Sequence, residues 1–340
     1  MFARLSPGEL VFLLRQCLDS GAWDQALALS QALASNNDPG VGLCEAVAHY
    51  ASGEPQAALG RVDALLSANA HSLPARAIRA EILARTGARE RAVAELTSVL
   101  EEYPDYPGAQ ALLGSLLLPG PHYREVLARL HALLKPKTYL EIGVDTGATL
   151  TLAQQASAVI GVDPAATQLR YPAPASARLF RQTSDDFFAE HSAHDVLGER
   201  RVDLAFIDGM HRFENALSDF ANVERWSHAE TTLVFHDCVP LIASTARRER
   251  ETSFWVGDTW KVVLALARHR PDLKIRTLLT PPSGLVVVRK LDPTSTLLRA
   301  NYVSIVAEFA ELEWQLRPGQ LPAEFGALPS NEASLAEALA

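Results

Sequence analysis

The sequence predicts two domains, an all-α helical-repeat domain followed by an α/β domain with a mostly parallel sheet. Three observations indicate this architecture. A glycine-containing segment recurs three times in the first third of the chain, and apolar segments of strand length then alternate with segments of helical composition. Finally, only residues 280–284 separate the last two strand candidates. This connection is too short for a parallel crossover, so the two strands are expected to form an antiparallel hairpin.

Length, charge and cysteine content narrow the function. The 340 residues suffice for about two domains with separate cores. The 31 Lys+Arg against 40 Asp+Glu give a net charge of -9, which argues against binding to a nucleic-acid backbone. Three widely spaced cysteines predict neither a disulfide framework nor a zinc site. No segment approaches the roughly 20 apolar residues of a membrane span, and no secretory leader is evident. We therefore expect a cytoplasmic protein without membrane or nucleic-acid partners.

Each repeated segment combines a glycine with an alanine five positions later. The three pairs are Gly21 and Ala26, Gly53 and Ala58, and Gly87 and Ala92. A glycine suits the left-handed turn between two helices, and a small residue lets paired helices approach closely. Pro74 and Pro104 are expected to end the second and third units, because proline cannot continue a helix.

The repeats resemble tetratricopeptide repeats. The family's small-residue and proline positions are occupied in the third unit by Ala80, Gly87, Ala92 and Pro104. The resemblance implies helical hairpins over about residues 8–104, with a further helix over residues 106–118 that caps the last repeat. We therefore assign residues 1–118 to a repeat domain. Such an array offers a surface for a protein partner, a peptide or self-association, and the alternative is a scaffold that only covers the next domain.

Residues 119–293 are predicted to form the α/β domain, which begins after the helix-breaking segment PGPHY. Seven strand candidates lie at residues 139–144, 158–162, 177–180, 202–207, 231–235, 274–279 and 285–288. Because strands that alternate with helices form parallel crossovers, helices should cover both faces of the sheet. An amphipathic helix over residues 294–317 and a loosely held tail would complete the chain to residue 340.

Polar residues follow the first two strands in a pattern that suits a nucleoside ligand. Glu141, Gly143 and Gly147 form the pattern E-x-G-x-x-x-G at the end of the first strand. The glycines allow a tight turn and the approach of a ligand to a following helix, and Glu141 could accept a hydrogen bond from a ligand ammonium or from the loop amides. Asp163 ends the second strand, where an acidic residue can bind both hydroxyls of a ribose.

The next three strands also end in polar residues. Ser184 and Asp185 follow the third strand, where they could bind an adenine amino group. The fourth strand ends in FIDGMHRF and the fifth in VFHDC. Ligands bind beyond the carboxyl ends of parallel strands, so all five strand ends should line the same crevice.

Residues from about 125 to 290 resemble the class I S-adenosylmethionine-dependent methyltransferases, whose Rossmann-like sheet of seven strands also ends in a reversed strand. The sequence is most similar to a group of small-molecule O-methyltransferases with an IDG-x-H motif, here residues 207–211. The resemblance implies S-adenosylmethionine as cofactor and an oxygen acceptor on a small molecule, a sugar, or a biosynthetic intermediate bound to a carrier or peptide. With Ser184 added from the strand ends, the implied cofactor contacts are Glu141, Gly143, Gly147, Asp163, Ser184, Asp185 and Asp208.

Catalysis would need alignment of the methyl group with the acceptor oxygen and removal of the hydroxyl proton. His211 is the candidate base, and the alternative is that it only hydrogen-bonds the loop. Some related O-methyltransferases hold Mg²⁺ nearby, and here Asp208 and Asp237 could supply two oxygen ligands. This chain departs from those relatives, because His236 precedes Asp237 and Met210 stands where an acid is common. In the alternative, His236 and Asp237 form a pair that orients the substrate or serves as a second acid-base site.

Two other functions compete with this interpretation. The chain could be a non-catalytic binding protein, in which the repeats are the active part and the methyltransferase fold is a degenerate scaffold. Gly143, Gly147 and Asp163 argue against this, because a decayed pocket need not keep residues that suit a nucleoside. A nicotinamide-dependent oxidoreductase is the third interpretation, and both the E-x-G-x-x-x-G spacing and the terminal hairpin argue against it.

Overall fold

The computed structural model describes residues 17, 22–33, 39–166 and 169–340. The chain divides into two compact units, residues 1–116 and 117–340. Over the described residues, the first unit is helical and the second is built on a single sheet. This confirms the predicted order of a helical-repeat region and an α/β region. The repeat glycine Gly21 and the predicted start of the first repeat lie outside the described residues.

Six α-helices form the described part of the first unit. They are α1 (Trp23–Ala32), α2 (Pro39–Ala51), α3 (Pro55–Ala68), α4 (Leu73–Arg85), α5 (Arg89–Glu102) and α6 (Ala109–Leu117), which ends at the unit boundary. Gly53 and Gly87 lie in the turns before α3 and α5 and have φ angles of 83° and 86°, as predicted for left-handed turns. Ala26, Ala58 and Ala92 are fully buried, which fits close packing of the paired helices.

The two repeat prolines differ in position. Pro104 follows the end of α5, as predicted. Pro74 instead lies in the first turn of α4, so the prediction that it ends a unit was wrong. The first turn of a helix tolerates proline because the N–H groups there have no partner within the helix.

Eight strands form the sheet of the second unit. They are β1 (Thr138–Ile142), β2 (Ala158–Val162), β3 (Ala177–Phe180), β4 (Val202–Ile207), β5 (Ser227–His236), β6 (Lys274–Leu279), β7 (Leu285–Arg289) and β8 (Ala327–Pro329). Their order is β3-β2-β1-β4-β5-β7-β6-β8. Strands β1 to β5 pair in parallel, and β7 lies antiparallel to both β5 and β6, which confirms the predicted hairpin. The predicted count of seven was one too low, because β8 pairs in parallel with β6.

Eight α-helices accompany this sheet in the part of the chain that the structure describes. They are α7 (Tyr123–Leu134), α8 (Ser184–Glu190), α9 (Ala193–Leu197), α10 (Phe213–Arg225), α11 (Lys261–His269), α12 (Leu297–Ala300), α13 (Tyr302–Phe309) and α14 (Glu332–Leu339). Among the described helices, none combines the length and the apolar character that crossing a membrane requires.

Two predicted features of this unit are corrected. The single helix expected over residues 294–317 is two short helices, α12 and α13, and the tail is not loosely held. Instead β8 joins the sheet, and α14 packs Leu335 and Ala338 into the core. Between β1 and β2, the described residues contain a 3₁₀ helix at Leu150–Ala153 in place of an α-helix.

Successive residues of the central strands point to opposite faces of the sheet, and both faces are buried. Ile142 and Ile207 pack on the side that carries α10 and α11, together with Phe220. Tyr139 and Phe206 pack on the other side, with the apolar face of α7. The strands are therefore held firmly, and the loops that follow β1, β2, β4 and β5 meet at one edge of the sheet.

Candidate functional site

A cavity of about 380 Å³ opens at the carboxyl ends of β1, β2 and β4, beside the start of α8. Four carboxylates line it, from Asp145, Asp163, Asp185 and Asp208. None of the described residues that line it is a lysine, an arginine or a histidine. The cavity is therefore acidic, and its volume falls in the range of pockets that bind small molecules or cofactors.

Both predicted glycines have left-handed backbones, but their neighbours differ from the expectation. A Cβ atom at Gly143 would lie 2.0 Å from the carbonyl oxygen of Asp208, so only glycine lets the loop pass under the end of β4. A Cβ atom at Gly147 would lie 3.2 Å from the carbonyl oxygen of Tyr171. Gly143 lines the cavity, whereas Gly147 makes room for the chain after β2 and does not line it.

Glu141 lies below the loop and does not line the cavity. Its side chain is fully buried and accepts hydrogen bonds from the hydroxyls of Tyr139, at 2.6 Å, and Thr149, at 2.8 Å. Burial raises the pKa of Glu141 to about 8. Both carboxylate oxygens of Glu141 thus accept from hydroxyls within the protein, whereas the sequence suggests a ligand ammonium or the loop amides as donors.

Asp163 holds the loop after β1. One of its oxygens, Oδ2, accepts from the backbone N–H groups of Val144, at 2.8 Å, and Asp145, at 2.7 Å. The other oxygen, Oδ1, accepts from the N–H of Ala165 at 2.6 Å. Asp163 lines the cavity as predicted, but backbone amides already occupy both of its oxygens. Only its remaining lone pairs are left for a ribose.

Ser184 and Asp185 line the cavity at the first turn of α8, as predicted from the end of the third strand. The Asp185 carboxylate accepts from Ser218, at 3.2 Å, and from Asn215, at 3.4 Å. The Ser184 side chain is hydrogen-bonded to Asp219, a buried residue of α10. Burial raises the pKa of Asp219 to about 7. Both cavity residues are therefore tied to α10.

Asp208 and His211 meet at the end of β4. The Nε2 atom of His211 lies 3.2 Å from Oδ1 of Asp208 and 3.0 Å from Oδ2 of Asp237. Its Nδ1 atom lies 3.1 Å from the carbonyl oxygen of Trp255. A carbonyl oxygen only accepts, so Nδ1 carries a proton, and Nε2 is left between two carboxylates. This place suits either a second proton on the ring or a cation.

His236 and Asp237 lie at the end of β5, beside Asp208. The Nδ1 atom of His236 is 3.2 Å from Oδ1 of Asp208, and its Nε2 atom is 3.3 Å from Oγ of Ser283. Ser283 is fully buried and donates its hydroxyl proton to Oδ1 of Asp237. Its oxygen can then only accept from His236. His236 and Asp237 thus form the pair that the sequence suggested, with Ser283 as a third member.

Opposite charges in this cluster shift the pKa values of Asp208, His211 and His236 toward the charged forms of these side chains. Burial alone would lower the pKa of His236, but the carboxylates of Asp237 and Asp208 outweigh it and raise that pKa to about 10. Burial likewise opposes the charge of His211, and the same two carboxylates raise its pKa. Burial alone would raise the pKa of Asp208, whereas His236 and His211 hold it below its usual value. The raised pKa favours a His211 ring that is protonated on both nitrogens, and the role of His211 as a base stays a prediction.

Asp208, His211 and Asp237 could hold a metal ion. Each offers one ligand atom, and these three atoms lie within 4.8 Å of one another. The sequence suggested the two aspartates for this role, and the structure adds His211. Two carboxylate oxygens and one imidazole nitrogen form a donor set that divalent cations such as Mn²⁺ accept.

Sequence reasoning missed three contacts in this cluster. Ser283 lies in the turn between β6 and β7, where the sequence indicates only a short connection. Tyr123, at the start of α7, packs its ring on His236 with the centroids 4.0 Å apart. The carbonyl of Trp255 fixes the protonated nitrogen of His211. No local pattern indicates these contacts, because each joins positions far apart in the sequence.

Comparison with known proteins agrees with this geometry. Residues 140–238 match the family model described as a methyltransferase domain, and residues 49–116 match the one described as a tetratricopeptide repeat. The chain is therefore similar to tetratricopeptide repeats in its first part and to a methyltransferase domain in its second part. The match to the methyltransferase domain begins in β1 and includes Asp163, Asp208 and His211. A search of curated proteins found no match.

Three solved structures are each similar to one of the two regions of this chain. An O-methyltransferase from Bacillus cereus in complex with SAH is 14% identical, and the alignment covers 58% of this chain and 98% of that one, with a TM-score of 0.38. The O-methyltransferase TomG from Streptomyces achromogenes is 13% identical, with coverages of 59% and 89% and a TM-score of 0.39. A thermophilic TPR protein from Thermus thermophilus is 23% identical, with coverages of 39% and 75% and a TM-score of 0.32.

Proposed function

We propose that the methyltransferase domain uses S-adenosylmethionine to methylate an oxygen atom of a small molecule or of a carrier-bound or peptide-bound intermediate. The acidic cavity is the observation that carries this proposal. S-adenosylmethionine supplies a methyl group on a positively charged sulfur and also carries an ammonium group, so four carboxylates attract it. A nicotinamide dinucleotide carries two phosphates, which the same carboxylates would repel without a lysine or arginine to balance them.

The nucleoside part of the cofactor would lie at the β2 and β3 side of the cavity. Asp185 would accept from the adenine amino group, because its carboxylate faces the cavity and holds only long hydrogen bonds from Asn215 and Ser218. Asp163 would reach the ribose with its remaining lone pairs, while its amide contacts keep the loop after β1 in place. Gly143 keeps the floor of the cavity open.

The acceptor oxygen would lie beside Asp208, which lines the cavity and also belongs to the histidine cluster. We propose that Asp208, His211 and Asp237 bind a divalent cation such as Mg²⁺ or Mn²⁺, and that His211 serves as a ligand through an unprotonated Nε2. A cation there would polarise the acceptor hydroxyl and ease loss of its proton. His236 would stay protonated and balance the charge of the aspartates. The alternative is a cation-free site, in which the same carboxylates and histidines orient the acceptor and accept its proton.

Calorimetric titration with S-adenosylmethionine, S-adenosylhomocysteine and NAD⁺, each with and without Mg²⁺, tests the proposal. We expect micromolar binding of the first two and no binding of NAD⁺. Asp185→Asn should weaken the adenosyl ligands, and Glu230→Gln, an exposed residue of β5 outside the cavity, should not. If none of the adenosyl ligands binds, the methyltransferase domain is a scaffold, and the repeats become the active part of the protein.

The tetratricopeptide repeats suggest a protein partner or self-association as a second role of this chain. The mass of the purified protein by light scattering over a range of concentrations tests self-association. A mass above 36.9 kDa that rises with concentration would support it. A constant monomer mass would exclude self-association at those concentrations and leave a heterologous partner.

A further inference from the structure

The four cavity aspartates differ in how their carboxylates are used. The carboxylate of Asp163 accepts hydrogen bonds from backbone amides, and that of Asp185 accepts from a hydroxyl and an amide side chain. Two histidines lie beside the carboxylate of Asp208. Asp145 is exposed and lines the cavity. Its carboxylate forms no hydrogen bond or ion pair with any of the described residues. One carboxylate in the cavity is therefore available for a cationic partner.

The backbone holds Asp145 firmly in this place. Its φ angle is 45°, a left-handed conformation that aspartate and asparagine adopt more readily than most residues. Its N–H donates to Oδ2 of Asp163 at 2.7 Å, and Gly143, two residues earlier, passes under the end of β4. The side chain thus starts from a fixed backbone and does not need to be ordered by the ligand.

The sheet order places the four carboxylates in a row. The strands that precede them run β3, β2, β1 and β4, and the row is therefore Asp185, Asp163, Asp145 and Asp208. Neighbouring strands lie about 4.8 Å apart, so the row spans about 14 Å, enough for an extended nucleoside linked to an amino acid. With the nucleoside at Asp185 and Asp163, the amino-acid end would lie at the loop that contains Asp145.

We propose that Asp145 binds the ammonium group of the cofactor's amino-acid part, and that Glu141, which the sequence pattern suggests for this contact, does not. This inference rests on the proposed function of the cavity. An ammonium group donates three hydrogen bonds and needs a charged or carbonyl acceptor when it leaves water. Asp145 offers such an acceptor in the cavity, whereas the oxygens of Glu141 are buried and bonded to Tyr139 and Thr149.

The test compares three ligands by calorimetry on the full chain: S-adenosylmethionine, S-adenosylhomocysteine and 5′-methylthioadenosine. The last has the nucleoside and the sulfur but lacks the amino acid. Asp145→Asn keeps the shape and the tolerance of the left-handed backbone and removes the charge. We expect it to weaken the first two ligands by about tenfold to a hundredfold and to change 5′-methylthioadenosine less than twofold. Asp185→Asn is the matched control and should weaken all three.

Each outcome bears on one of the two proposals. If the wild-type protein binds all three ligands and Asp145→Asn changes none of them, the ammonium assignment is wrong and the proposed function stands. If Asp145→Asn weakens 5′-methylthioadenosine as strongly as the other two, Asp145 acts on the nucleoside and the inference is also wrong. If the wild-type protein binds none of the ligands, both proposals fail together. Equal unfolding midpoints of variant and wild type confirm that the comparison concerns binding.

Discussion

Replacement of Asp163 separates a structural role from a role in ligand binding. The sequence predicts a ribose contact, whereas the structure shows a carboxylate that accepts three backbone N–H groups. Val144 is buried, so its N–H would lose its partner without access to water. The N–H groups of Asp145 and Ala165 belong to exposed residues and can be hydrated in part. With about 2 kcal/mol for the buried bond and smaller losses for the other two, Asp163→Ala should destabilise the ligand-free protein by about 3 kcal/mol.

Urea unfolding of the ligand-free protein, followed by tryptophan fluorescence, measures this effect. Four of the five tryptophans lie in the second unit, so the signal reports mainly on the methyltransferase domain. Asp163→Asn keeps one acceptor oxygen and should cost about 1 kcal/mol. Asp185→Asn serves as a control, because its long hydrogen bonds to the half-buried side chains of Asn215 and Ser218 should contribute little to stability. Unchanged stability of Asp163→Ala, together with weaker binding of S-adenosylmethionine, would refute the structural role and restore the simple ribose assignment.

Three further predictions concern other parts of this domain. Asp237→Asn should weaken Mn²⁺ binding at least tenfold in calorimetry, because it removes the charge of one ligand, whereas Asp185→Asn should not weaken it. Equal Mn²⁺ affinities of Asp237→Asn and the wild type would exclude the proposed cation site. Gly257→Ala should lower the thermal unfolding midpoint strongly, because the new Cβ would lie 1.8 Å from the carbonyl oxygen of His211. A midpoint equal to that of the wild type would contradict this close packing. Burial lowers the pKa of His131 from 6.5 to about 4, so the unfolded chain binds the extra proton and stability falls as pH decreases from 6.5 toward 4. When the pH is lowered from 7.5 to 5, the free energy of unfolding measured with urea should fall by about 2 kcal/mol more for the wild type than for His131→Leu. Equal decreases for the two proteins would contradict a neutral buried His131.

The sheet could be predicted from the sequence to the extent that its strands are apolar and long enough. The central strands are buried on both faces and appear as continuous apolar runs between turn residues, so their positions are evident. Strand β8 is three residues long, contains Pro329 and pairs only at the edge, and no periodic pattern distinguishes it from a loop. The helix predicted after residue 294 shows an apolar pattern throughout, but Asn301 separates α12 from α13, and the only helix that the structure describes between α13 and α14 is a short 3₁₀ helix at Ala323–Phe325.

The candidate site, like the sheet, could be predicted from the sequence only in part. Polar residues at strand ends were expected to meet because the carboxyl ends of parallel strands share one edge, and Asp163, Asp185 and Asp208 do line one cavity. The partner of each side chain could not be predicted, because it depends on side-chain direction. Glu141 points to the face that carries α7 and finds two hydroxyls there. Ser283 reaches His236 only because β7 lies next to β5 in the sheet.

Asp208 is where the two halves of the proposed mechanism meet. Among the described residues, it alone both lines the acidic cavity and belongs to the group that could hold a cation. In-line transfer requires the methyl group and the acceptor oxygen within about 3.5 Å of each other, so the acceptor must approach from the histidine cluster while the cofactor lies in the cavity. The charges fit this division. The cavity is acidic and attracts the positively charged cofactor, whereas His211 and His236 lie within hydrogen-bonding distance of Asp208 and Asp237 in the cluster. In the proposed mechanism the cluster would therefore bind the acceptor oxygen, with or without a cation, and the other carboxylates of the cavity would remain available for the cofactor.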